Sequence, residues 1–172
     1  MTKQEVRAAA LAKLAVKPAE TLWDVGAGTG SVSVELALAA PRGRVYAVEC
    51  DPAACALIRR NRETFHACNL TLIEGLAPAA LEALPAPDAV FIGGTKGTME
   101  AVVDTVLEKN PEARLCISAI ALETLSAAVA ALTAHGLAAE VTQLAVSRTK
   151  PAGRLHLLMA NNPIFLITGE RR

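Results

Sequence analysis

The sequence predicts an α/β protein with a Rossmann-like, seven-stranded, mostly parallel sheet, helices on both faces and an antiparallel last strand. Three observations carry this. Strand-like and helix-like runs alternate as far as residue 136, the pattern of a parallel sheet covered by helices. A glycine-rich turn, "WDVGAGTGS" (23–31), joins the first strand to its helix, where such sheets hold their ligands. Beyond Gly136, two strand-like runs follow with no helical run between them, which makes the last pairing antiparallel.

Taken in order, Thr2 and Glu5 have capping-box spacing, so a helix is expected from Lys3. Val6, Ala10, Leu11 and Leu14 form its apolar stripe, and Pro18 should stop it. "TLWDV" (21–25) is the first strand, and "SVSVELALAA" (31–40) is helical up to Pro41. "RVYAVEC" (44–50) reads as strand from its β-branched content. Asp51-Pro52 opens a helix expected to run to His66, with Asp as cap and Pro at its first position. "LTLIEG" (70–75) is strand, "PAALEAL" (78–84) a short helix and "DAVFIGG" (88–94) strand. "TMEAVVDTVLEK" (98–109) is helix, "RLCISA" (114–119) strand, and "LETLSAAVAALTAH" (122–135) a helix stopped by Gly136. "AEVTQLAVSR" (139–148) is strand, a helix-free loop runs to Asn162, and "PIFLITG" (163–169) closes the sheet.

At 172 residues, 52% hydrophobic and 20% charged, the chain is expected to form one domain (1–172) with a real core. Acids and bases balance and aromatics are 3%, which speaks against nucleic acid as a partner. Cys50, Cys55, Cys68 and Cys116 form no CxxC pair, so reduced thiols in a cytoplasm are expected, with Cys116 a small core hydrophobe. The start, "MTKQEVRAAALAKL", lacks the apolar core of a signal peptide. No run approaches the ~20 apolar residues of a membrane span, so no membrane partner is expected.

The turn narrows the ligand. Gly26, Gly28 and Gly30 give GxGxG, with Ser31 where a dinucleotide fingerprint has glycine. No Lys or Arg lies between Gly26 and Glu35, so a phosphate lacks its usual cation. Asp24 would repel a pyrophosphate and suits an ammonium group. Glu49 ends the second strand, where an acid reads a ribose diol. A ligand with an amino-acid end, a ribose end and no phosphate is S-adenosylmethionine. The combination resembles the class I S-adenosylmethionine-dependent methyltransferases.

The resemblance goes further. "TKQEVRA", "DVGAGTGSVSVELA", "EGLAPAAL", "DAVFIGGTKG", "SAIALET" and "AVSRTKPAGRLHLLMANNPIFLITG" occur in this order along nearly the whole chain. Together they are similar to the decarboxylating precorrin methyltransferases of cobalamin biosynthesis (CbiT type). The glycine motif is generic, whereas "FIGG" and the C-terminal block are more specific. One departure is "NPEAR", where that family often has Gly-Gly or Pro-Gly-Gly before the fifth strand. The resemblance implies methylation of carbon 15 of a corrin precursor with loss of carbon dioxide from an acetate side chain. It also implies a tetrapyrrole substrate, a homotetramer, and a separate C(5)-methyltransferase as functional partner, this chain matching only the decarboxylating half of the larger fused versions.

For the cofactor, Gly26, Ala27, Gly28, Thr29 and Gly30 match the turn and Glu49 the acid on the ribose. Ala77 matches a position whose backbone reads the adenine, and Thr2 one that reaches the cofactor from the N-terminal side. For the substrate, Gly93, Gly94 and Gly97 leave room for a flat macrocycle, with Lys96 beside them as a carboxylate partner. From Val141 to Gly169 there is no acid, while Arg148, Lys150, Arg154 and His156 all occur. Such a basic loop can dock the carboxylates of an anionic ligand. No catalytic base is identified; His156 is the one proton-transfer candidate in that loop. No metal is expected, since "GGTKGT" has none of the acids of a metal-dependent O-methyltransferase. Two other readings stay open: a methyltransferase for RNA or protein, and a non-catalytic scaffold that retains the fold.

Overall fold

The structure is a computed structural model that describes residues 3–171. Seven strands form the main sheet: β1 (Thr21–Val25), β2 (Arg44–Glu49), β3 (Leu70–Glu74), β4 (Ala89–Ile92), β5 (Arg114–Ala119), β6 (Leu137–Leu144) and β9 (Ile164–Arg171), in the order β3-β2-β1-β4-β5-β9-β6. Pairings from β3 through β5 are parallel, and β9 lies antiparallel between β5 and β6. The helices are α1 (Gln4–Leu14), α2 (Ser31–Ala39), α3 (Pro52–Thr64), α4 (Met99–Lys109) and α5 (Leu122–Ala134). The strand order reverses between β1 and β4, so the ligand crevice lies beyond their C-terminal ends.

Alternate residues of the central strands point to opposite faces, so the sheet separates two cores. Leu22, Phe91 and Cys116 pack with Val6, Leu14, Val32, Leu36 and Ile58 from α1, α2 and α3. Trp23, Val90, Ile92, Leu115 and Ile117 pack with Val102, Val103, Val106, Ala128 and Leu132 from α4 and α5. Every residue of β4 is buried, as expected of a strand covered on both faces. Burial also pushes the Cys116 thiol up to about 12, so it stays an inert core side chain. Among the described residues no helix is long and apolar enough to cross a membrane.

Several boundaries differ from expectation. The first helix stops at Leu14, not at Pro18, because Ala15 turns left-handed and Arg114 Nε donates to the Leu14 carbonyl at 2.7 Å. Arg114 also pairs with Glu20 at 2.6 Å, so a distant strand residue caps the helix. Thr2, the expected cap, lies outside the described residues, and Lys3 makes no side-chain cap bond. Residues 78–84 hold only one 3₁₀ turn, Ala79–Leu81.

The largest change concerns the expected loop before Asn162. "AEVTQLAVSR" breaks after Leu144, and a second, two-stranded sheet follows: β7 (Ser147–Ala152) and β8 (Leu155–Ala160). Asn161 closes its base, donating to the Val146 carbonyl from both its backbone and its side-chain nitrogen at 3.0 Å. Gly153, at φ +62, turns the tip. Neither β7 (SRTKPA) nor β8 (LHLLMA) alternates polar and apolar residues, because both faces of the hairpin are exposed and no buried face imposes a period.

Candidate functional site

The glycine turn hangs on β2: the Gly26 and Ala27 N–H groups donate to the Val48 carbonyl at 3.0 and 3.1 Å. Gly26, Gly28 and Gly30 all have positive φ, which only glycine adopts cheaply. Asn61 of α3 donates to the Thr29 carbonyl at 2.8 Å and fixes the far side of the turn. Two cavities flank the turn and share Gly26. The first is lined by Glu49, Cys50, Leu76, Ala77, Thr95 and Lys96, among others. The second is lined by Asp24, residues 26–29, Asp51, Phe91 and Gly93, among others, with two carboxylates and no Lys or Arg.

Glu49 turns inward onto the backbone. Its Oε2 accepts from Gly28 N at 2.7 Å, and its Oε1 from Cys50 N at 2.8 Å and Asp51 N at 2.9 Å. Burial pushes the carboxyl up, but these backbone donors outweigh it and hold it below the usual carboxylate range. Glu49 is therefore ionised, and Oε2 keeps a lone pair for a further donor.

Asp24 is buried at 1% exposure. Its Oδ2 accepts from the Ser33 hydroxyl of α2, while Oδ1 is buried with no partner among the described residues. Desolvation pushes the carboxyl up to about 7, against the Ser33 bond, with the Glu49 charge adding to the rise. An unpaired acceptor at the edge of an acid-lined cavity suits a donor cation from a ligand. The sequence reading missed Ser33, although a serine on the buried side of an apolar helix is a visible signal.

This raised value has a consequence for stability. A carboxyl whose folded value lies above its unfolded value of 3.8 stabilises fully below that value and loses its contribution as pH rises towards 7. Asp24→Asn is therefore expected to unfold at a temperature about 5 °C or more above the parent at pH 8. The gap should shrink towards pH 4, as thermal unfolding at both values would read.

The remaining site residues are spread more widely. Ala77 lines the first cavity together with Glu49. The single Thr98 hydroxyl proton is shared between the Thr95 carbonyl at 2.7 Å and the Ala77 carbonyl at 3.2 Å. Thr98, which the sequence reading missed, thus joins the two loops that wall the cavity. Gly93 lines the second cavity and Gly94 the first. Lys96, expected at the macrocycle, lines the first cavity with Glu49. Arg148 and Lys150 lie on β7, Arg154 at the hairpin tip and His156 on β8. None of these four lines either cavity. Ladder register puts Arg148 and Lys150 on one face of the hairpin and His156 on the other. Arg148 Nη2 donates to both Glu5 carboxylate oxygens, at 2.8 and 2.7 Å.

Residues 1–171 match the family described as the precorrin methyltransferase domain. A Salmonella typhimurium protein named cobalt-precorrin-6B C(15)-methyltransferase (decarboxylating) is 40% identical, over 99% of this chain and 89% of that protein. The crystal structure of precorrin-6y C5,15-methyltransferase from Geobacter metallireducens superposes with a TM-score of 0.95 at 40% identity, covering 100% of this chain and 90% of that one. A Methanobacterium thermoautotrophicum structure named precorrin 8w decarboxylase superposes with a TM-score of 0.91 at 32% identity, covering 98% and 91%. With the reversal between β1 and β4, the bare glycine turn and the inward Glu49 all in place, this chain belongs to the precorrin methyltransferase domain family.

Proposed function

We propose that the chain, as one domain spanning residues 1–172, transfers a methyl group from S-adenosylmethionine to C(15) of a precorrin or cobalt-precorrin and decarboxylates an acetate side chain, in cobalamin biosynthesis. The observation that carries the reading is the pair of cavities astride Gly26. One offers an ionised Glu49 beside the apolar Leu76 and Ala77; the other offers Asp24 and Asp51 without a basic residue. That set of acceptors fits the ribose of an adenosine at one end and an ammonium at the other.

S-adenosylmethionine, when bound, supplies an electrophilic methyl on its sulfonium. Glu49 Oε2 would accept from a sugar hydroxyl, and Ala77 and Leu76 would hold the adenine. An ammonium at Oδ1 would favour the ionised form of Asp24 and so couple binding to release of a proton. The backbone of residues 26–30 would lie along the ligand. A Cβ at Gly94 would meet nothing within 4 Å, whereas one at Gly93 would lie 3.0 Å from the Gly26 carbonyl oxygen, so the room for a flat macrocycle would lie over Gly94, with Gly93 keeping the floor close to the glycine turn. Arg148, Lys150 and Arg154 supply counter-charges for its carboxylates, with a substrate carboxylate displacing Glu5 from Arg148.

The chain's main task is orientation of the ring carbon and exclusion of water. Loss of carbon dioxide leaves an electron pair that the protonated conjugated ring accepts. No strong base is needed, so His156→Ala is expected to decarboxylate within about threefold of the parent. A drop of a hundredfold or more, the scale of lost acid–base catalysis, would instead place the proton on that imidazole.

The direct test incubates the chain with labelled cofactor and candidate corrinoid precursors and weighs the products. A gain of one methyl with loss of one carboxyl supports the reading. A methylated product that keeps every acetate removes the decarboxylase half.

The setting follows from the same chemistry. Cys50, Cys55, Cys68 and Cys116 are free thiols, which suits a cytoplasm. A separate C(5)-methyltransferase is the functional partner. Leu155, Leu157, Leu158 and Met159 of the hairpin are exposed, and burying them between copies supports a homotetramer. Leu158→Asp is expected to yield smaller species by light scattering, without loss of the main sheet.

A further inference from the structure

The loop leaving β4 places a lysine where side chains are rarely held. Lys96 has φ +50, followed by Gly97 at +94. A strained position of this kind is a pointer to function when its surroundings hold it in place. Here they do: Thr98 ties the loop both to Thr95 and to Ala77 on the opposite wall of the first cavity. Lys96 and Cys50 line the cavity together with Glu49, and Cys50, Glu49 and Asp51 hold the ammonium above its usual range. It is the one cation lining that cavity among the described residues.

We propose that Lys96 is a specificity-determining residue for the nucleoside end of the cofactor, and not an arm for the tetrapyrrole's carboxylates. The inference rests on the S-adenosylmethionine reading above and deepens it. The lysine stem is apolar and stands with Leu76 as a wall of the cavity. A purine ring fits between such walls. The ammonium offers donors only, and Glu49 offers acceptors only. A nucleoside presents both counterparts: acceptors on its base and sugar ring, and donor hydroxyls on its ribose. A substrate carboxylate approaching the same point would meet the charges of Glu49 and Asp51 as well, two anions against one cation.

The test uses the full chain with Lys96→Gly and Lys96→Met, titrated with S-adenosylhomocysteine and with 5′-methylthioadenosine, which keeps the nucleoside and lacks the amino-acid end. Lys96→Gly relieves the left-handed backbone, so it is expected to unfold at or above the parent's temperature, and a lost affinity cannot be lost folding. Both variants are expected to bind both probes about tenfold more weakly, the loss of one charged hydrogen bond. Lys96→Met, which keeps the apolar stem, should lose less than Lys96→Gly. The KM for the corrinoid should stay within about twofold of the parent, the scale on which losing a charged contact is not registered.

Unchanged affinity for both probes in both variants overturns the proposal, and a raised corrinoid KM in that case returns Lys96 to the substrate. Failure of the parent itself to bind S-adenosylhomocysteine overturns the cofactor reading and this inference with it. The two failures are thus separable, since the titrations do not depend on corrinoid turnover.

Discussion

Gly26→Ala is expected to lose most of its cofactor affinity and about 2–4 kcal/mol of stability, whereas Gly28→Ala should lose about 1–2 kcal/mol. Both positions are left-handed, at φ +70 and +56, so both share the backbone penalty of a side chain there. They differ in what a Cβ would meet. At Gly26 it would lie 2.2 Å from the Gly94 carbonyl oxygen and 2.8 Å from the Gly94 nitrogen. That neighbour is backbone at the end of β4 and cannot rotate away. The strand ends at the switch point would have to part, opening both cavities at the residue they share. At Gly28 nothing lies within 4 Å, so only the torsional cost remains, and any loss of affinity there would reflect contact with the ligand itself. Thermal unfolding of the two variants, with a titration of S-adenosylhomocysteine, reads the contrast. Equal losses at both sites would mean that the approach of Gly26 to Gly94 is not what holds the crevice.

Glu49→Gln is expected to weaken S-adenosylhomocysteine binding by about 10- to 100-fold, the loss of roughly 1.5–3 kcal/mol for charged hydrogen bonds. The carboxylate accepts from three backbone N–H groups at its two oxygens. A carboxamide has one acceptor oxygen and one donor nitrogen. Keeping its oxygen on Cys50 and Asp51 turns its NH₂ towards the Gly28 N–H, and the glycine turn loses its tether. The same change removes the acceptor proposed for the ribose. Stability follows with a defined sign: the folded Glu49 value lies below its ordinary 4.5. Its contribution is therefore present above that value and lost as pH falls through the depressed one. The variant's deficit in unfolding temperature should be plain at pH 7 and shrink on acidification. A deficit that persists at low pH would assign it to packing, not charge.

The parts of this protein that a sequence can carry are those set by local and periodic chemistry. β1 and β5 begin and end where "TLWDV" and "RLCISA" do, because a strand buried on both faces is a short apolar run between turn residues. Asp51 caps α3 by accepting from Ala53 N at 3.0 Å, a contact within three residues. The glycine spacing located the crevice, since left-handed turns select glycine wherever they occur. What depended on distant partners was not legible. Arg114, a hundred residues away in the chain, ends α1; Ser33 supports Asp24; Thr98 joins the walls of the first cavity; and Lys96 stands with Glu49, not with the basic residues of 148–156. The hairpin escaped for the opposite reason, having no buried face to stamp a period on its residues. The sequence by itself determined the class of sheet, the position of the crevice and the acid at each end of it, because those follow from nearest neighbours. Only the tertiary structure decided which side chains share each cavity, because that depends on how strands and loops far apart in the chain are brought side by side.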